Sequence, residues 1–164
     1  MGLTVEGLDE FVTDLIKIYS DATIMYRRCA FEGARVLADE MKAGIEGLKV
    51  QNGYGTEKKP LNGVNGYVKA DLRDGLGISK IETENFVTNV SVGFSGYSKR
   101  VENVKWLDQT NNSVAIQMEA RTVESGTSWM RKQPFVRKAI NRAKKKIDNA
   151  IEKEATKFIK ERMK

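Results

Sequence analysis

The 164 residues are 40% hydrophobic and 30% charged, with 28 Lys+Arg against 22 Asp+Glu. That is enough apolar material for one domain with a real core, and no apolar run approaches the roughly 20 residues that span a bilayer. With no histidine and one cysteine in the chain, His general bases, Ser-His-Asp triads, His-ligated metals and intrachain disulfides are excluded.

The start, MGLTVEGLDE, has no basic segment leading into an apolar one, so no signal peptide is expected. Residues 6–20 place Leu8, Phe11, Val12, Leu15, Ile18 and Tyr19 three or four apart, the spacing of an amphipathic helix. Residues 21–48 repeat the pattern with Ile24, Met25, Cys29, Val36, Leu37, Met41, Ile45 and Leu48. Ser20 and Asp21 are expected to cap this second helix. Cys29, among helix formers, reads as a small buried hydrophobe, consistent with synthesis in a reducing cytoplasm. Gly33 costs about 1 kcal/mol relative to Ala inside a helix, unless a neighbouring helix needs the room.

Residues 49–68 (KVQNGYGTEKKPLNGVNGYV) change character to Gly and Asn, and a long exposed loop or an extended hairpin is expected. It lacks the Gly-Lys-Ser/Thr ending of a phosphate-binding loop. A short helical turn is expected over 69–77, then two strands over 78–94 around a turn at Glu82–Asn85. The segment 95–112 is polar, with Trp106 and Leu107 as candidate anchors. Residues 113–125 alternate like a strand, but Asn112 or Ser113 as cap and Gly126 as stop favour a helix. Pro134 suits the first turn of a last helix with Val136, Ile140, Ala143, Ile147, Ala150, Ile151, Phe158 and Ile159 on its apolar face. The fold class expected is α+β: long N- and C-terminal amphipathic helices on a small antiparallel sheet, with extended loops.

Charge is uneven. Residues 131–164 hold 13 basic and 4 acidic side chains, a local +9, and the other 130 residues hold 15 basic and 18 acidic, a net −3. Asp148, Glu152, Glu154 and Glu161 interleave with lysines in the distal half, the pattern of a solvated helix face. In the proximal half, Arg131, Lys132, Arg137, Lys138, Arg142, Lys144, Lys145 and Lys146 are expected to have no acidic partner. Of these, Arg131, Lys132, Arg137, Lys138, Arg142 and Lys145 are the candidate contacts to an acidic partner or to DNA.

From Val123 to Ala139 the chain reads VESGTSWMRKQPFVRKA. This resembles the hallmark of the HK97 gp10-like family of tailed-bacteriophage morphogenesis proteins: a Glu-x-Gly-Thr turn, a short polar connector and a Gln-Pro-Phe start to the last helix. The matching residues are Glu124, Gly126, Thr127, Gln133, Pro134 and Phe135. Gly7–Leu8 with Phe11 and Leu15, Lys69–Ile81 (KADLRDGLGISKI) and Val90–Ser98 (VSVGFSGYS) also resemble family segments, in order along nearly the whole chain. The chain departs from the family where a Pro-x-x-Thr-Gly turn is common before Leu72–Arg73, and where Ser125 replaces Phe.

The resemblance implies a non-enzymatic structural subunit of the virion, made in the bacterial host cytoplasm and placed at the head–tail junction. It implies a ring of identical copies around the DNA channel, meeting head-completion or connector proteins and tail-terminator or tail-tube proteins. No cofactor, metal or membrane is implied. Alternatives are a tail-terminator ring subunit or a DNA-binding accessory protein using the 131–146 face. An enzyme built on Asp71 and Asp74, or Glu82 and Glu84, is the weakest reading, since these look like solvated turn residues. One domain is expected over 1–164: helices to 48, the loop 49–68, strands and short helices over 69–125, and the joint with the C-terminal helix over 126–164. In the joint, Gly126 ends one helix, Thr127 and Ser128 bond turn backbone, Phe135 pins the next helix, and Glu124 is expected to pair with Arg131.

Overall fold

The computed structural model describes residues 8–84, 87–98 and 114–163. Among these residues, five helices and a β-ribbon make an α+β fold: α1 Leu8–Ser20, α2 Ala22–Glu46, α3 Gly66–Gly75, β1 Leu76–Ile78, β2 Glu82–Glu84, β3 Val87–Asn89, β4 Val92–Phe94, α4 Ile116–Ser125 and α5 Val136–Arg162.

The long helices α2 and α5 pack antiparallel because each carries small residues where the other approaches. Gly33 is buried with Ile147 and Ile151 of α5 against it; a Cβ there would stand 3.3 Å from Ile147 Cγ2. Ala139 and Ala143 are fully buried on the facing side. Cys29 is buried as expected, its thiol 3.8 Å from the Ile151 carbonyl oxygen. Burial, with Glu154 nearby, raises its pKa above the ordinary thiol value. At the far end Phe158, 1% exposed, lies between the guanidiniums of Arg28 and Arg162, at 5.5 and 5.4 Å from its ring centre. Carboxylates hold both arginines: Glu161 at 3.1 Å and Glu154 at 3.9 Å from Arg28, and Asp21 at 3.0 Å from Arg162.

The helix breaks at the expected place, with Asp21 at the N-cap position of α2, but Asp21 makes no side-chain cap bond and Ser20 donates its hydroxyl back to the Lys17 carbonyl. The backbone ladder instead runs on through Asp21, whose N–H donates to Lys17 O and whose carbonyl accepts from Met25 N, both at 3.1 Å.

The second body of core lies at the opposite end. Ile45 and Leu48 of the α2 exit, Val64, Val68 and Leu72 of α3 and its approach, Ile116, Ala120 and Val123 of α4, and Phe135 form one buried cluster. Leu76, Phe94, Met130 and Val136 close around it, with the Phe94 and Phe135 rings edge to face at 6.0 Å.

The ribbon is one long antiparallel hairpin broken by a bulge. β1 pairs with β4 (Leu76↔Phe94, Ile78↔Val92) and β2 with β3 (Glu82↔Asn89, Glu84↔Val87). Three residues, 79–81, separate β1 from β2, but only two, 90–91, separate β3 from β4, so the register slips by one. Strand therefore starts earlier than the expected residue 78. Glu82–Glu84 is strand rather than turn, with the Thr83 and Thr88 hydroxyls 3.3 Å apart across it. Residues 85–86, including Asn85 of the expected turn, lie outside the described residues, as do the candidate anchors Trp106 and Leu107 and the caps Asn112 and Ser113.

The stretch 113–125 resolves as helix from Ile116, with Ala115 at its N-cap. The expected loop 49–68 is shorter: its last three residues open α3. What remains is stitched to itself and to the joint. Val50 bridges Val64, Gln51 N–H donates to Val64 O at 2.8 Å, and Leu61 N–H donates to Trp129 O at 2.9 Å. Asn52 accepts from Gly66 N–H and Asn65 from Gly53 N–H, each at 2.9 Å, so the asparagines supply the partners this backbone lacks.

Candidate functional site

Five of the six residues of the Val123–Ala139 motif, all but Pro134, have a structural task. Gly126 has φ +77°, and a Cβ there would meet Lys132 N at 2.7 Å, so a side chain is both strained and obstructed. Thr127 Oγ1 accepts from Trp129 N–H at 3.2 Å and Met130 N–H at 3.1 Å, holding the turn. Gln133 donates its N–H to Val123 O at 2.9 Å, and its side-chain oxygen accepts from Lys49 N–H at 2.9 Å, tying joint to α2 exit. Phe135 is 3% exposed in the main core.

Two expectations about the joint are corrected. Glu124 does not pair with Arg131. Its carboxylate accepts from Val136 N–H at 2.9 Å and Arg137 N–H at 3.2 Å, so it caps α5 from a different helix. Pro134 is not in the first turn of α5. The helix starts at Val136, with Phe135 at its N-cap. The joint is thus a structural latch.

The basic segment is smaller than its sequence suggests. Arg142 Nε lies 2.9 Å from a Glu40 oxygen, and Lys146 Nζ donates to the other oxygen of that carboxylate. The expectation that the whole proximal half lacks acidic partners is therefore wrong for these two. Glu40 sits on α2, about a hundred residues away, and only the antiparallel seam brings it near. The hydrogen bond from Lys146, with that from Arg142, holds the Glu40 carboxyl below the usual carboxylate range despite partial burial. Arg131, Lys132, Arg137, Lys138, Lys144 and Lys145 are exposed, with no carboxylate partner among the described residues.

In the distal half the acidic residues reach across as well as along the helix. Glu154 lies 3.9 Å from Lys157, but both Glu154 and Glu161 also meet Arg28. Among the described residues no group of three or more His, Cys, Asp or Glu side chains is placed to hold a metal ion, and no helix is long and apolar enough to cross a membrane.

No protein-family model matches the chain, nor does any curated protein or solved structure.

The largest functional signal is one the hydropathy pattern conceals. The apolar stripe of α1 is in water: Phe11 is 50% exposed, Leu15 48%, Ile16 63% and Tyr19 83%, with Val12 beside them. The same pattern in α2 is half buried. α5 as described ends at Arg162, beside Asp21 at the α1–α2 junction, so α1 packs against the last part of α5 only in part. On α5 too, Ile140, Ile151 and Ile159, expected on the apolar face, are at least a third exposed, Ile151 even though it packs on Gly33. Sequence pattern locates such a stripe but does not say whether the chain itself covers it.

Proposed function

We propose that this protein is a non-enzymatic assembly subunit of the tailed-phage head–tail junction, working as a ring of copies between head connector and tail around the DNA channel. The observation that carries the assembly part is α1: an amphipathic helix that lies largely outside the protein's own core with its apolar stripe exposed. Phe11 and Tyr19 alone leave on the order of 250 Å² of aromatic surface in water, which approaches the size of an interaction patch. The virion setting rests on the resemblance carried by Glu124, Gly126, Thr127, Gln133, Pro134 and Phe135 and by the segments Lys69–Ile81 and Val90–Ser98. The partners are further copies, a connector or head-completion protein, and a tail-terminator or tail-tube protein. A tail-terminator ring is the nearest variant of this reading.

Electron microscopy of particles assembled with this chain tests it. The expected result is ring density at the head–tail junction that disappears when the gene is deleted. Absence of the chain from purified particles, with no ring formed by the isolated protein, overturns the reading.

A second reading has its own observation. Six exposed cations without described carboxylate partners, from Arg131 to Lys145, suit duplex DNA. A mobility shift that weakens steeply with salt is its expected signature, and no binding at low salt removes it.

A further inference from the structure

Two surfaces are left over at opposite ends of the long helices, and they differ in charge. One is the α1 stripe of Phe11, Leu15, Ile16 and Tyr19, on a helix with Asp9, Glu10 and Asp14 against Lys17 in sequence; Asp14 and Lys17 pair at 2.9 Å, so the acidic excess is that of Asp9 and Glu10. The other is on α5, where Arg137, Ile140 and Lys144 stand at i, i+3 and i+7 and so share one face. Ile140 is 41% exposed there, an apolar side chain in water between two cations that no described carboxylate holds. Arg142 and Lys146, bound to Glu40, lie on the other side of the helix.

These surfaces cannot meet within one molecule. Phe135, just before α5, lies against Gly44 near the end of α2, whereas α1 continues from the opposite end of α2. At 1.5 Å per residue, α2 alone spans about 33 Å between its first residue and Gly44. Pairing α1 with α1 of another copy would bring two acidic helices together, an arrangement that like charge disfavours. Placing α1 on the Arg137–Ile140–Lys144 face joins apolar to apolar and acidic to basic.

Resting on the assembly reading above, we propose that α1 of one copy docks on the Arg137–Ile140–Lys144 face of α5 in the next copy. The contact is head-to-tail, between two different patches, and repeats into a ring or an open chain according to the angle it imposes.

Complementation between two defective chains tests this. Leu15→Asp disables the α1 stripe and Ile140→Asp disables the α5 face. Both side chains are exposed, and circular dichroism checks that both variants fold. In sedimentation velocity the wild type is expected to self-associate, and each variant alone to do so about tenfold or more weakly. A one-to-one mixture is expected to form a heterodimer, since one intact α1 and one intact α5 face remain.

An Ile140→Asp chain that associates like the wild type overturns the proposal in favour of α1 self-pairing. A mixture no better than either variant also overturns it, as does a wild type that stays monomeric but enters particles through α1, which would make the occupant a different protein. That last result leaves the proposed function standing. Complementation by a chain that never enters particles does the reverse.

Discussion

At the residue scale, the joint depends on Glu124. One carboxylate serves two N–H groups at the start of α5, where the helix has no partner for them and its dipole favours negative charge. Glu124→Ala is expected to lower unfolding stability by about 1–2 kcal/mol, measured by urea denaturation, with Glu124→Gln intermediate. The residue was legible from the motif, but its task was not, because the cap crosses from one helix to another. Glu40 gives a pH-dependent counterpart. Its carboxyl is depressed in the folded protein, so its contribution is complete above the unfolded value of about 4.3 and is lost as pH falls through the folded value. The stability difference between wild type and Glu40→Gln, present at neutral pH, is therefore expected to shrink as pH falls below the unfolded value and to vanish below the folded one. A difference that persists unchanged at low pH would show that the ion triad is not its source.

At the element scale, the seam between α2 and α5 is closed at one end by Phe158 between two arginines. Phe158→Ala is expected to cost about 3–5 kcal/mol by thermal or urea unfolding, because it opens a cavity and leaves Arg28 and Arg162 without the ring. A Leu in its place fills the cavity and is expected to recover most of the loss. The helices themselves were readable from periodicity, since Gly33, Ala139 and Ala143 fall on the stripes that face each other. The ribbon was less so. Strand signals in Val87–Asn89 and Val92–Phe94 were visible, but the extra residue at 79–81 that slips the register leaves no mark in hydropathy. The Gly- and Asn-rich stretch after Leu48 read as a free loop for a related reason: its bonds go to residues far along the chain, such as Trp129.

At the scale of the whole molecule, charge and apolar surface are distributed between ends. If duplex DNA meets the basic face, Lys138→Ala with Lys145→Ala is expected to weaken low-salt binding in a mobility-shift assay and to reduce its salt dependence. Arg142→Ala, whose cation Glu40 already holds, is expected to change binding little and to lower stability instead. Equal loss of binding from both variants would mean that the segment acts by total charge rather than through particular side chains.

The sequence by itself determined the helices, the α+β class, the absence of histidine chemistry and the surplus of positive charge near the C-terminus. These follow from residue types and their local spacing. Only the tertiary structure decided which apolar stripe is buried, which cations are already paired, and what Glu124 holds. Those depend on which distant residue arrives opposite each side chain, and the packing of α5 against α2 sets that.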